Sequence, residues 1–299
     1  MGAHSLARSG LEPGGVFPLA DNRRVDLSVP SAARMYDWLL GGHYNYEVDQ
    51  RASEELLKVA PTTKELARNN RWFLERVVRV MAEEHGIRQF VDFGSGLPTQ
   101  NNVHQIAQAV DPRSRVVYVD DDPVVLAHGQ AIFDENDQSV VIASDMLETE
   151  YILEHADFRR LIDLDQPVGV LFNSVLHCIP DASGPGDLVT RVVDRLRPGS
   201  FVVICQLVSD DAGLRRQVTE MMLEQTHGRW GQVRERAQVD RYFDGLVIQP
   251  PGLVDVTDWR PDSELKRRQR SIEWTEYGGL AEVPPGRRSG AAVPRPRTA

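Results

Sequence analysis

Asp92-Phe93-Gly94-Ser95-Gly96-Leu97-Pro98-Thr99 joins an apolar run, Gln89-Phe90-Val91, to a segment in which Val103, Ile106, Ala107 and Val110 recur at helical spacing. This pattern predicts a strand, a glycine-rich turn and a helix over 101–110. Glycine has no Cβ and tolerates positive φ, so at Gly94, Ser95 and Gly96 a ligand can approach the backbone closely. A second apolar run, Arg115 to Val119, ends in Asp120. A carboxylate at the tip of the second strand can accept hydrogen bonds from ribose hydroxyls. Asp121 stands beside it, and Asp122 caps a helix beginning at Pro123. Turn and acid together point to an adenosine-containing ligand.

The details choose among such ligands. A dinucleotide fingerprint needs a third glycine under the pyrophosphate, and that place is Thr99, preceded by Pro98. Asp92 stands immediately before the turn, where a carboxylate repels a pyrophosphate and suits a cation. S-adenosylmethionine carries a sulfonium and an ammonium group, and is preferred over a nicotinamide dinucleotide.

Further candidates lie at later strand ends. Asp145 could accept a hydrogen bond from an adenine amino group, with Met146 packing on the ring, or simply cap the next helix. Asn173 and Ser174 end the fourth strand, beside the point where strand order reverses, and face the reacting atom. The run Phe172 to His177 is not the Asn/Asp-Pro-Pro-Tyr motif of enzymes that methylate DNA bases. His177 is the candidate general base, because imidazole titrates near neutral pH. The reading favoured over it is a histidine bonded to backbone below the site. Tyr36, Gly41, Gly42, Tyr44 and Tyr46 form an aromatic, glycine-rich segment able to cover a ligand, or equally to pack on the domain. Arg68-Asn69-Asn70-Arg71 is either a polar cluster at a ligand carboxylate or, as preferred, a solvated helix face.

These residues need a frame to hold them. Helical patterns cover 31–40, 49–60 and 62–85, before the glycine-rich turn. Strands are predicted at 89–93, 115–120, 139–144, 168–173 and 200–207 with helical segments between them. Such alternation means an α/β, doubly wound, mostly parallel sheet with right-handed crossovers. Two more helices are expected at 211–227 and 231–243. Short strands at 246–248 and 253–257, split by Pro250-Pro251-Gly252, suit a hairpin at the sheet edge. The organisation expected is a disordered tail over 1–20, a helical cap over 21–86, a ligand-binding domain over 87–282 and a second disordered tail over 283–299.

Composition narrows the partners. The 299 residues carry a net charge of −10, which argues against broad electrostatic binding to nucleic acid. Cys178 and Cys205 read as reduced, buried thiols of a cytoplasmic protein. The eight histidines are scattered without metal-ligand spacing, so no metal is expected. Met1 to Gly15 lacks the apolar core of a signal peptide, and no apolar run nears the ~20 residues that cross a bilayer.

The chain resembles the class I S-adenosylmethionine-dependent methyltransferases, and within them a bacterial family of uncharacterised substrate. The resemblance is carried by Tyr36-Asp37-Trp38-Leu39-Leu40-Gly41-Gly42, by Gln89 to Thr99, by Tyr118 to His128, by Val175-Leu176-His177, and by Pro251-Gly252-Leu253 through Trp259-Arg260-Pro261. It implies a Rossmann-like, seven-stranded sheet with its last strand antiparallel. It also implies cofactor contacts at Asp92, Gly94, Gly96, Asp120 and Asp145, and N-terminal helices packed over the cofactor. The activity it implies is methyl transfer to an oxygen, nitrogen or carbon of a small molecule. A non-catalytic sensor of S-adenosylmethionine is the alternative, since no residue is obligatory for catalysis.

Overall fold

The computed structural model describes residues 26–99, 101–133 and 136–286. Among the described residues eight strands form one sheet: β1 (Gln89–Phe93), β2 (Arg115–Asp120), β3 (Ser139–Ala143), β4 (Gly169–Asn173), β5 (Phe201–Val208), β6 (Val247–Ile248), β7 (Val254–Asp255) and β8 (Thr275–Glu282). Their order is β3-β2-β1-β4-β5-β8-β6, with β7 also paired to β8. The chain thus departs from β1 in both directions. β1 to β5 are parallel, and β8 runs antiparallel between β5 and the edge. The strand order reverses between β1 and β4, so their carboxyl ends open a crevice.

β1, β5 and most of β2 and β4 are buried along their length, as continuous apolar strands covered on both faces must be. One face carries a core around Phe93 and Phe172, whose rings stack at 5.0 Å. The other packs against the N-terminal helices.

Those helices are α1 (Ala32–Leu39), α2 (Glu47–Val59) and α3 (Thr63–Glu83). α3 lays Phe73, Leu74, Val77, Val78 and Met81 on the sheet. Its buried Arg76 donates to the Trp259 and Val256 carbonyls at 2.9 and 2.7 Å, tying α3 to the segment after β7. α1 and α2 are joined by a buried pair, Arg34 Nε to Asp49 at 2.9 Å. Asp49 also accepts from the Ser31 and Tyr46 backbone N–H groups. Met35, Leu56 and Leu66 then pack with Val218 and Met222 of the helix Ala212–Gln225 and with Trp230 and Trp274. Among the described residues no helix is long and apolar enough to cross a membrane.

Four expectations need correction. The segment 231–243 is not one helix. Arg234 bridges to Val208, and only Arg236–Asp240 is α-helical, followed by a 3-10 turn. Gly231 lies so close to the preceding chain that a Cβ there would sit 2.3 Å from the Ile179 carbonyl oxygen. The two short closing strands are not a hairpin either. β6 pairs with Ala281–Glu282 and β7 with Tyr277–Gly278, both antiparallel to β8, so they run in line along one edge. The sheet therefore counts eight strands, seven on the main path. Finally, Val283 is buried, and its backbone bonds both Gly199 and Ser200, so the ordered chain runs past the expected boundary. Residues 1–20 and 287–299 of the expected tails lie outside the described residues.

Candidate functional site

The Gly94–Gly96 turn and the tip of β2 are fastened together by main-chain bonds. The Gly94 N–H donates to the Val119 carbonyl at 2.8 Å. The Gly96 N–H donates to Asp120 Oδ2 at 2.8 Å, and the Asp122 N–H to Asp120 Oδ1 at 2.9 Å. Gly94 and Gly96 have φ of +65° and +66°, a region that side chains avoid. A Cβ on Gly94 would lie 2.2 Å from Val175 Cγ2, whereas one on Gly96 would meet no atom of the described residues within 4 Å. Gly94 is thus required by packing, and Gly96 borders open space.

That space is a cavity of about 590 Å³ at the carboxyl ends of β1, β2, β3 and β4, inside the ~300–1,000 Å³ range of small-molecule sites. Asp92, Gly94, Ser95, Gly96, Asp120, Asp121, Asp145, Met146, Asn173, Ser174 and His177 all line it. Tyr36 lines it from α1.

Burial pushes the carboxyls of Asp92 and Asp120 up to about 7. At Asp92 the Arg71 guanidinium opposes this and the Asp120 charge adds to it. At Asp120 the two backbone N–H bonds oppose it. A cation brought between these acids would favour their ionised forms. Asp145 is exposed, and its Oδ1 accepts from the Leu147 N–H at 2.8 Å. It therefore caps the turn, with its other carboxylate oxygen remaining for a ligand.

Asn173 sits in a closed polar ring. Its Nδ2 donates to Asn70 Oδ1 at 2.9 Å, the Asn70 Nδ2 to Cys205 Sγ at 3.3 Å, and the Cys205 thiol back to Asn173 Oδ1 at 3.2 Å. Tyr36 Oη donates to the same Asn70 oxygen at 2.8 Å. The preferred solvated-face reading of residues 68–71 holds for Arg68 alone. Asn69 and Asn70 are buried, and Arg71 lines the cavity with Asp92. Helical periodicity alone does not reveal an amide that is satisfied by a partner over 100 residues away.

His177 lies in the cavity wall. Its Nδ1 has no hydrogen-bond partner among the described residues, and none of their backbone groups holds the ring through that atom. Its ring centre lies 5.1 Å from that of Trp230. Burial, aided by the Arg234 charge, drives its pKa down to about 3. The imidazole is neutral, and a weak base. Arg234 is itself almost fully buried. It donates to the Leu176 and Ile179 carbonyls at 2.8 Å each and to Asp181 Oδ1 at 2.6 Å, fixing the turn that carries His177.

Gly41, Gly42, Tyr44 and Tyr46 do not line the cavity. Asp37 explains why this segment has its composition. Its Oδ2 accepts from the Tyr44 N–H and Asn45 Nδ2 at 2.8 Å each. A Cβ on Gly42 would fall 2.0 Å from Asp37 Oδ1. Tyr44 packs on His128, their ring centres 3.8 Å apart, and Tyr46 faces Arg34. The motif builds a turn. The residues that roof the cavity are on the helices flanking it, among them Met35, Tyr36, Leu39 and Leu56.

Sequence reasoning passes over Trp230, Trp274 and Glu276, which also line the cavity. Glu276 comes from β8, whose Gly278-Gly279 pair disguises a strand. Both glycines are needed for close packing: a Cβ on Gly278 would lie 1.9 Å from the Ile204 carbonyl oxygen, and one on Gly279 2.9 Å from that of Gly252.

The profile of a family described as S-adenosyl methyltransferase matches residues 19–284. A candidate methyltransferase from Thermobifida fusca YX is 36% identical, with 86% of this chain and 96% of that one covered, at a TM-score of 0.77. A DUF574-family protein from Streptomyces avermitilis MA-4680 is 31% identical, with 87% and 100% covered, also at 0.77. A comparison with curated proteins finds no match.

Proposed function

Since the chain belongs to the S-adenosyl methyltransferase family, and is an enzyme that takes its methyl group from S-adenosylmethionine, we propose that it methylates a small molecule held in the cavity behind the Gly94–Gly96 turn. One observation carries this reading. Groups from the ends of β1, β2, β3 and β4 converge on a single cavity, which α1 and α3 roof over.

The residues fit the cofactor in kind. Gly96 leaves open space where an adenosine would approach the backbone. Asp120 accepts ribose hydroxyls, and Asp145 and Met146 receive the adenine. Asp92 faces the ammonium end, and Arg71 the carboxylate. Asn173 and Ser174 border the reacting centre, with the Asn70–Asn173–Cys205 ring keeping Asn173 in place. When bound, the cofactor supplies a sulfonium-activated methyl group. The protein has to align the acceptor and exclude water. Tyr36, Leu39, Leu66 and Leu74 provide an apolar roof for that purpose. His177, neutral and partnerless at Nδ1, borders the acceptor side.

Calorimetry tests the reading first. S-adenosylhomocysteine should bind and NAD should not. Labelled methyl transfer across a library of small molecules then identifies the acceptor. Binding of NAD without any response to S-adenosylhomocysteine would overturn the assignment.

A further inference from the structure

Beyond the cofactor-facing carboxylates, the cavity contains a second polar feature. Glu276 is 2% exposed, on β8 in register with Leu207 of β5, which brings it to the carboxyl edge of the sheet beside the end of β4. Ser174 Oγ donates to its Oε1. Its Oε2 is buried and has no partner among the described residues. An unsatisfied buried carboxylate oxygen is costly, and a native structure keeps one for a reason.

Its surroundings indicate what would satisfy it. Met35, Leu56, Leu207, Met222, Trp230 and Trp274 close this part of the cavity, and all belong to one apolar cluster. The indole N–H groups of Trp230 and Trp274 and the Nδ1 of His177 are also buried without partners among the described residues. The four residues that carry these unpaired polar atoms all line one mostly apolar chamber. Such a chamber takes a molecule that is largely apolar, and two tryptophans favour a ring.

We propose that Glu276 is the proton acceptor of the reaction and that the methyl acceptor is an apolar, ring-bearing molecule with a hydroxyl group. The proposal rests on the methyl-transfer reading above. The acceptor hydroxyl donates to Oε2. As its oxygen bonds to the methyl carbon, the carbon–sulfur bond breaks and that electron pair stays on sulfur. The hydroxyl proton passes to Oε2, so the positive charge of the donor and the negative charge of Glu276 are both discharged. Products are the methyl ether, the thioether and a neutral carboxylic acid.

The electrostatics agree with this role. Burial pushes Glu276 up to about 7, opposed by the Ser174 hydroxyl bond and the neighbouring Cys205 thiol and aided by Asp255 of β7. Cys178, from the turn after β4, and Tyr36 of α1 also interact with its charge. A carboxylate raised in this way is a better base than an ordinary one. His177, driven down to about 3, is a poorer one.

The test uses the full-length protein saturated with S-adenosylhomocysteine and two probes, 2-naphthol and naphthalene, read by tryptophan fluorescence. The wild type should prefer 2-naphthol by tenfold or more. E276Q should keep its affinity for S-adenosylhomocysteine within threefold and lose most of the hydroxyl preference. Ser174→Ala removes the donor to Oε1, and should move the pH at which the preference disappears upward by half a unit or more. It also carries the test if E276Q fails to fold. An undiminished preference in E276Q, or an unmoved midpoint in S174A, would overturn the role of Glu276. If the wild type binds S-adenosylhomocysteine and neither probe, the acceptor class is wrong. If it does not bind S-adenosylhomocysteine, the underlying methyl-transfer reading falls instead.

Discussion

Asp120 Oδ2 accepts a hydrogen bond from the backbone N–H of Gly96 at 2.8 Å. The acid at the end of β2 and the turn after β1 are therefore one unit. The same carboxylate borders the cavity, so it can serve a ligand while shaping the turn. Asp120→Ala should weaken S-adenosylhomocysteine binding by about 1–3 kcal/mol, the usual cost of removing one partner of a buried hydrogen bond. Calorimetry on a variant of unchanged circular dichroism measures it. Unaltered affinity would mean that Asp120 does not hold the ribose.

The two glycines of the turn should respond differently. A Cβ on Gly94 runs into Val175, at 2.2 Å, and approaches Met146 at 3.1 Å. Gly94→Ala should therefore cost folding stability, by roughly 1–3 kcal/mol for overpacking with backbone strain added. A Cβ on Gly96 enters open space. Gly96→Ala should cost only about 1–2 kcal/mol of backbone strain but a larger share of cofactor affinity. Urea denaturation and calorimetry on both variants separate the effects. Equal loss of stability in the two would contradict the packing argument.

His177→Ala should lower turnover by less than about tenfold and leave cofactor binding nearly intact, because a neutral imidazole of such low basicity contributes little as a base. Its ring nevertheless packs against Trp230, so some misplacement of the acceptor is expected. Once the acceptor is known, a loss of ~10²-fold or more would restore His177 as the general base.

The parallel half of this fold was legible because its strands are apolar runs, most of them buried, and β2 and β4 end in the polar residues Asp120 and Asn173. The Asp92, Gly94–Gly96 and Asp120 positions carry their chemistry in residue type and local spacing, and these residues do share one cavity. What stayed hidden depends on contacts remote in sequence. Glu276 lies on a strand whose paired glycines lower strand propensity, and only packing against β5 and Gly252 shows why they are there. Asn70 reads as a surface residue until Asn173 and Cys205 are placed beside it. Tyr44 and Tyr46 mislead in the other direction, since the aromatic, glycine-rich segment serves a turn built on the Asp37 carboxylate and lies outside the cavity.

The acids at the turn predict a pH dependence of definite sign. Asp92 and Asp120 are raised from 3.8 to about 7 by burial. A carboxyl that binds its proton more tightly when folded contributes stability that is fully present below its unfolded value and lost as pH rises through about 7. The ligand-free protein should accordingly lose stability from mildly acidic to mildly alkaline pH. A cationic ligand needs the carboxylates ionised, so its stabilising effect should grow over the same range. Thermal unfolding with and without S-adenosylmethionine at about pH 6 and pH 8 compares the two. The shift should be larger at the higher pH, and Asp92→Asn should flatten the difference. An equal shift at both values in the wild type would show that these acids do not face the ligand's charge.

The helical cap should respond to the cofactor, but only in part. Ser31, at the start of α1, donates through Oγ to Asp122, the residue that follows the Asp120-Asp121 tip. Ser31, Met35, Tyr36, Leu39 and Leu56 line the cavity, and Gly41, Gly42, Tyr44 and Tyr46 do not. Binding of S-adenosylhomocysteine should therefore slow amide exchange in α1 and the first turns of α3 and leave 41–46 unchanged. The cap is held by the Arg34–Asp49 pair, in which both side chains are almost wholly buried. Arg34→Met strands the Asp49 carboxylate without its cation, and breaking a buried pair in this way costs roughly 3–5 kcal/mol. That cost should fall on the cap, raising exchange across 31–59 and weakening cofactor affinity while the sheet keeps its protection. Hydrogen exchange on the intact protein and on R34M, each with and without S-adenosylhomocysteine, measures both effects. If exchange in α1 does not change on binding, the cap only packs on the domain and plays no part in closing the site.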